Sequence, residues 1–195
     1  MSDEPRVPMI ASILKGILHG RWRRRDENAR CKVLFVCMGN LCRSPTAEAV
    51  FRHRVELAGL ANEIACASAG THDVNLGNAP DGRARAAALK RGYDMSRFRG
   101  RVVTDADFTR FDLILAMDRQ NLEALRERCP PEQAERLRLL MEFAQTREVL
   151  DIPDPYYGNA QGFEVVLDMI EDACSTLLQH VRSTHLAQSD PAIGR

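Results

Sequence analysis

Cys37 and Arg43, six positions apart, are the side chains whose types and spacing suggest chemistry in this chain. The spacing alone is weak, because two such residues fall six apart by chance in many proteins. Their surroundings carry more weight. Val33, Leu34, Phe35 and Val36 run up to Cys37 as a short, fully buried strand by composition. A loop of Met38, Gly39, Asn40, Leu41 and Cys42 follows, and Arg43 and Ser44 lead into Pro45, which suits the start of a helix. Helix N-termini attract anions because their first N–H groups are unpaired. A loop of this length can also turn successive N–H groups toward one centre, a nest for a tetrahedral oxyanion. Arg43 adds a planar fork able to hold two phosphate oxygens, which lysine could not do. In that field Cys37 is favoured as the thiolate, the nucleophilic form. A thiolate beneath a phosphoester can attack phosphorus in line and form a phosphocysteine. Ser44 could donate to the sulfur and ease its departure. A buried strand-end cysteine beside a surface arginine is the plainer alternative, and it does not account for this context.

The leaving group then needs a proton. Asp154 is the candidate acid, in the stretch Asp151-Ile152-Pro153-Asp154-Pro155-Tyr156-Tyr157-Gly158. Prolines on both sides stiffen the loop and can hold a carboxyl at a fixed point. Tyr156 and Tyr157 could shield it and flank an aromatic ring. From this loop alone, an aspartate capping a turn is the favoured reading, and Asp151 is the rival acid.

These side chains need elements to position them. A helix is expected from Pro45 to Ala58, a strand from Glu63 to Ala69 and a helix from Gly82 to Arg91 capped by Asp81. A buried strand follows from Phe111 to Met117, then a helix from Asp118 to about Arg128, broken by Pro130-Pro131. Leu137 to Phe143 reads as a fourth strand after a short helical stretch, and Phe163 to His180 as the last helix. Apolar strands alternating with helices predict an α/β fold. We expect a three-layer sandwich with a four-stranded, mainly parallel sheet and helices on both faces. Ligands in such sheets bind at the carboxyl ends of the strands, where the cysteine loop lies.

Composition sets bounds. With 195 residues, 45% apolar and 28% charged, the chain suits one ordinary globular domain. Zero net charge gives no global case for nucleic-acid binding. Charge is uneven, however, with eight basic against three acidic residues from Arg83 to Arg110, and one against eight from Leu140 to His180. A basic side facing a phosphorylated partner is one reading, and ordinary solvated faces the plainer one. The six cysteines form no C-x-x-C pair and have no histidine at zinc-ligand spacing, so no structural metal is expected. Early charges follow the first apolar stretch instead of preceding it, so no secretory signal is read, and a reducing cytosol with free thiols is expected. Residues 1–30 differ from the rest: Ile10, Ile13, Leu14, Ile17 and Leu18 form one helical stripe, followed by the basic run Arg21 to Arg25. We take 1–30 as a basic amphipathic appendage able to touch an anionic membrane surface or a partner through residues 8–25. Residues 31–183 form the domain, and 184–195 a disordered tail.

The run VLFVCMGNLCRSPTAE with DPYYG resembles the low-molecular-weight protein tyrosine phosphatases. SAGT at 68–71 and FDLILAMDRQNL at 111–122 fit the same family in the same order, with the closer likeness to bacterial members. The resemblance implies Cys37 as nucleophile, Arg43 as the phosphate-binding residue and Asp154 as acid and then base toward water, with no metal or cofactor. It implies substrate contacts from Met38, Gly39, Asn40, Leu41, Cys42, Ser44, Val74, Tyr156 and Tyr157. Asn40, Ser44 and Ser68 would support the loop. Cys42 would form a disulfide with Cys37 and protect it from over-oxidation. The implied partner is a phosphotyrosine protein, in bacteria a tyrosine kinase of exopolysaccharide export, and a cytoplasmic monomer is expected. Two positions depart from the family pattern. Val74 stands where many members carry an aromatic wall, which puts the preference for aryl phosphates in question. Phe98 stands where some have a histidine bonded behind the loop. One rival is a thioredoxin-coupled arsenate reductase, which needs two further cysteines close together, whereas Cys66, Cys129 and Cys174 are far apart. A silent phosphotyrosine-binding module is the other, against which the intact Cys37, Arg43 and Asp154 argue.

Overall fold

The computed structural model describes residues 24–146 and 148–187. After a short α1 (Arg24–Glu27), the chain runs β1 (Cys31–Cys37), α2 (Arg43–Leu57), β2 (Ile64–Gly70), α3 (Gly82–Lys90) and α4 (Asp105–Arg110). It continues through β3 (Leu113–Ala116), α5 (Arg119–Arg126), β4 (Leu137–Leu139) and α6 (Ala160–Val181). The four strands pair in the order β2-β1-β3-β4 and every pairing is parallel. The chain leaves β1 toward β2 on one side and returns as β3 on the other. The carboxyl end of β1, where Cys37 sits, is therefore the topological switch point at which such sheets bind ligands.

The pleat of β1 separates two cores. Cys31, Val33 and Phe35 face α2, α3 and α6, while Leu34 and Val36 face Phe108, Phe111, Leu122 and Leu125 on the other side. This is the expected three-layer arrangement, built from strands buried on both faces. The Phe35 and Phe51 rings meet edge to face at 5.6 Å and lock α2 onto the sheet.

Several elements differ from the sequence reading. The fourth strand stops at Leu139, because Glu142 turns back to accept from the Leu139 N–H at 2.9 Å and Leu140–Phe143 closes as a 3-10 turn. β3 begins only at Leu113, since Asp112 accepts from the Lys32 N–H through its side chain at 2.8 Å. Helix α4 was not foreseen. Its signal is a capping box in which Asp107 accepts from the Thr104 N–H at 2.8 Å. α6 starts earlier than expected, capped by Asn159, and continues past Val181 as a π turn over Arg182–Leu186. Arg30 Nη2 donates to the carbonyls of His185 and Leu186, each at 3.2 Å, so ordered structure reaches into the stretch expected to be tail.

The uneven charge is partly matched inside the molecule. Arg91, from the basic stretch, pairs with Glu164, Asp168 and Glu171 of the acidic one. Among the described residues no helix is long and apolar enough to cross a membrane. The reading of residues 8–25 as a membrane or partner contact falls on residues 1–23, which lie outside the described residues, and on the backbone of the first turn of α1.

Candidate active site

The loop between β1 and α2 is shaped by where its carbonyls go. The Cys37 and Met38 carbonyls accept from the N–H groups of Thr71 and His72, both at 2.9 Å. The Gly39 carbonyl accepts from Asn75 Nδ2 at 3.2 Å, the Leu41 carbonyl from the Asp81 N–H at 2.9 Å, and the Cys42 carbonyl from Thr46 Oγ1 at 2.7 Å. With its carbonyls drawn outward, the loop turns its N–H groups inward. Among the described residues the N–H groups of Met38 to Cys42 make no backbone hydrogen bond. That is the anion nest which the loop length predicts. Asn40 holds the turn in the left-handed region at φ 51°, a conformation asparagine tolerates better than most residues. Gly70 lets β2 lie directly against it, since a Cβ there would come within 2.8 Å of the Met38 carbonyl oxygen.

Behind the nest, Ser44 Oγ is the hub. It lies 3.0 Å from Cys37 Sγ, accepts from Asn40 Nδ2 at 2.9 Å and donates to the Ala69 carbonyl at 3.1 Å. A hydroxyl has one proton to give. Beside a thiol it can donate to Ala69 and accept from Cys37, and beside a thiolate it can turn to donate to the sulfur. Asn40 Oδ1 accepts from the Arg101 N–H at 3.0 Å, which completes the network.

Arg43 is the first residue of α2 and only 4% exposed. Its Nη1 donates to Asp118 Oδ2 at 2.5 Å and to the Ile152 carbonyl at 3.0 Å, and its Nη2 donates to Asp154 Oδ2 at 3.1 Å. Burial works against the charge, but the Cys37 sulfur, Asp118 and Asp154 outweigh it and raise the pKa further. Arg43 is thus a fixed cation whose fork is aimed by its neighbours. Asp154 Oδ1 also accepts from the Tyr156 N–H at 3.1 Å, which orients the carboxyl. Cys37, Met38, Gly39, Leu41, Cys42, Arg43, Val74, Asn75, Asp154, Tyr156 and Tyr157 line a single cleft.

The structure therefore brings Cys37, Arg43 and Asp154 together, with Asn40 and Ser44 behind them. Asp151 makes no bond to Arg43: it accepts from the Arg119 N–H at the start of α5 at 2.9 Å and lines a neighbouring cleft that Arg43 and Asp154 also border. Ser68 does not reach the loop. Its hydroxyl donates at 2.7 Å to Glu48 Oε2, one turn further along α2 than Ser44, and the Ala69 carbonyl is the β2 group that accepts from Ser44. Phe98 lies under the Arg52 guanidinium, 5.7 Å from its carbon, so the bond behind the loop comes from the Arg101 backbone. Cys66, Cys129 and Cys174 are outside the cleft, and all six cysteines are free, so no relay pair stands beside Cys37. Asp118 and Asn75 were not foreseen as site residues. Asp118 showed in the sequence only as a helix cap, which it also is, accepting from the Asn121 N–H at 2.7 Å.

The pattern described as low molecular weight phosphotyrosine protein phosphatase matches residues 32–187. The chain belongs to that family. It is a protein-tyrosine-phosphatase, a hydrolase of phosphotyrosine in proteins. A low molecular weight protein-tyrosine-phosphatase of Streptomyces coelicolor is 45% identical over 77% of this chain and 93% of its own length. A crystal structure of a protein tyrosine phosphatase from Entamoeba histolytica, with Hepes in its active site, superposes with a TM-score of 0.76 at 39% identity. It covers 78% of this chain and 97% of that one. Wzb of Vibrio vulnificus, solved with benzylphosphonate, does so with 0.67 at 31%, covering 77% and 98%. In this low-molecular-weight phosphatase the matched residues include every residue that lines the cleft.

Proposed function

We propose that this phosphatase works in two steps, with Cys37 as nucleophile, Arg43 as phosphate clamp and Asp154 as acid and base. The observation that carries the reading is the convergence of the three on one cleft, with Ser44 Oγ 3.0 Å from the Cys37 sulfur. The phosphoester lies in the nest, and the Arg43 Nη2 donor passes from Asp154 to a phosphate oxygen. Sγ attacks phosphorus, the P–O bond to the tyrosyl oxygen breaks, and Asp154 gives that oxygen its proton. Asp154 then takes a proton from a water that attacks phosphorus. The S–P bond breaks, Ser44 donates to the departing thiolate, and inorganic phosphate leaves. Acid-quenched enzyme exposed to a labelled phosphotyrosine peptide should carry phosphate on Cys37. Turnover without any cysteine-bound phosphate would remove the two-step mechanism.

Met38, Leu41, Val74, Tyr156 and Tyr157 give the cleft apolar walls suited to an uncharged ring. Val74 is 65% exposed and offers no flat face, so the ring rests on the Tyr156 and Tyr157 side. The benzylphosphonate bound to the Vibrio protein, a phenyl ring one methylene from phosphorus, supports an aryl ligand. The physiological partner proposed is a phosphotyrosine protein, a tyrosine kinase of exopolysaccharide export in a bacterial cytoplasm.

Cys42 is proposed to guard Cys37 by forming a disulfide with it on oxidation. Burial, then Asp81, pushes the Cys42 thiol up to about 12, so at neutral pH it is protonated and slow to attack. Because its thiolate fraction rises about tenfold per pH unit below that value, the Cys37–Cys42 disulfide should form markedly faster at pH 9 than at pH 7 after a peroxide pulse. Mass spectrometry of rapidly alkylated protein measures it, and a pH-independent rate would contradict the assignment.

A further inference from the structure

We infer that Arg83 is a positioning residue that ties the acid loop to the phosphate loop and sets where the Asp154 carboxyl stands. The inference rests on Asp154 being the proton donor, as proposed above. Arg83 lies in the first turn of α3 and does not line the cleft. Its guanidinium reaches in two directions. On one side Nε donates to Asp81 Oδ1 at 3.1 Å and Nη2 to Asp81 Oδ2 at 2.9 Å, the bidentate match of a planar fork to a carboxylate. Asp81 is itself fixed, because its side chain accepts from the Arg83 N–H at 2.7 Å and its own N–H donates to the Leu41 carbonyl at 2.9 Å. One end of the strap is therefore fastened to the phosphate loop.

On the other side Nη2 donates to the Tyr156 carbonyl at 2.9 Å, and Nη1 lies 3.5 Å from that of Gly158. The guanidinium also lies over two rings, 5.5 Å from the Tyr156 centroid and 4.8 Å from that of Phe163, which is buried in the first turn of α6. Tyr156 is the residue whose N–H holds Asp154 Oδ1. A continuous path thus runs from the Leu41 carbonyl through Asp81, Arg83 and Tyr156 to Asp154, with Asp81 and Arg83 outside the cleft lining.

The acid loop needs this second anchor. Its upstream end is held at Ile152, whose N–H donates to the Met117 carbonyl at 2.8 Å. Pro153 and Pro155 stiffen the segment but cannot fix its distance from Cys37. The direct tie from Arg43 to Asp154 is given up when phosphate takes the arginine, the moment at which the carboxyl must be placed. The Arg83–Asp81 pair is half exposed at the arginine, so its worth as a stabiliser is small and its consequence is geometric.

Arg83→Gln separates this role from a structural one. For phenyl phosphate, whose leaving group needs a proton, kcat/KM should fall about 10- to 100-fold. For 2,4-dinitrophenyl phosphate, which leaves without one, the fall should stay under about threefold. Competitive inhibition by inorganic phosphate should be unchanged, which also shows that the variant is folded. Arg83→Lys, with a single donor group, should give an intermediate loss on the phenyl ester. In an Asp154→Ala background Arg83→Gln should cost nothing further, since it acts through that carboxyl. Equal losses on both esters, or a full loss persisting in the Asp154→Ala background, would overturn the inference. If Asp154→Ala alone leaves the phenyl ester unaffected, the acid assignment itself has failed, and the Arg83 role falls with it.

Discussion

Cys37→Ser is expected to abolish turnover of p-nitrophenyl phosphate, by about 10⁵-fold or more, while leaving phosphate binding in place. The change exchanges one atom in a network that otherwise stays intact. Ser44, Asn40 and the Ala69 carbonyl still hold the loop. The N–H nest and the Arg43 fork, which bind the anion, do not depend on the sulfur. What is lost is the nucleophile. A serine hydroxyl keeps its proton at neutral pH, and the group beside position 37, Ser44, is a neutral hydroxyl that cannot remove it. Calorimetry with inorganic phosphate and a release assay separate the two quantities. Retained turnover would sink the phosphocysteine route, and lost binding would mean that the sulfur holds the loop together. The same variant should retain phosphotyrosine proteins from a lysate.

Why the site could be read so far from the sequence is a matter of locality. Cys37, the nest and Arg43 lie on one continuous strand, loop and helix, so their geometry follows from residue order. The parallel sheet was equally legible, because strands buried on both faces leave unbroken apolar runs. Side chains whose role depends on contacts distant in sequence were not. Asp118 serves as a helix cap, which periodicity can show, but its second oxygen takes Arg43, which only the pairing of β1 with β3 brings near. Ser68 shows the converse. In the SAGT stretch the hydroxyl drew attention, yet the supporting group is the neighbouring backbone carbonyl, and the Ser68 hydroxyl is taken by Glu48, a partner 20 residues away in sequence. Helix α4 escaped because it is six residues long, too short for a periodic stripe, and only its capping box marks it.

Asp154→Ala is expected to slow hydrolysis of aryl phosphates by about 10²- to 10⁴-fold, the range for a positioned acid. In kcat/KM, which reports the first step, esters with leaving groups that need no proton should lose far less. Phosphate should bind at least as tightly as before, for a structural reason. The Asp154 carboxylate occupies Arg43 Nη2 at 3.1 Å, so it competes for a donor that the phosphate needs and repels the incoming dianion as well. Removing it frees that donor while Asp118 and the Ile152 carbonyl keep the guanidinium aimed. The signature is a lowered kcat with an unchanged or lowered KM, which a collapsed site would not give. Asp151→Ala is the control. Its carboxylate accepts from the Arg119 N–H and lies 3.5 Å from the Arg119 guanidinium, at the exposed start of α5, so its loss should cost at most about 1 kcal/mol of stability and leave the rate near that of the parent. A large rate loss with Asp151→Ala and none with Asp154→Ala would reverse the assignment. Both carboxylates belong to one proline-stiffened loop, and the Arg43 fork is what distinguishes them.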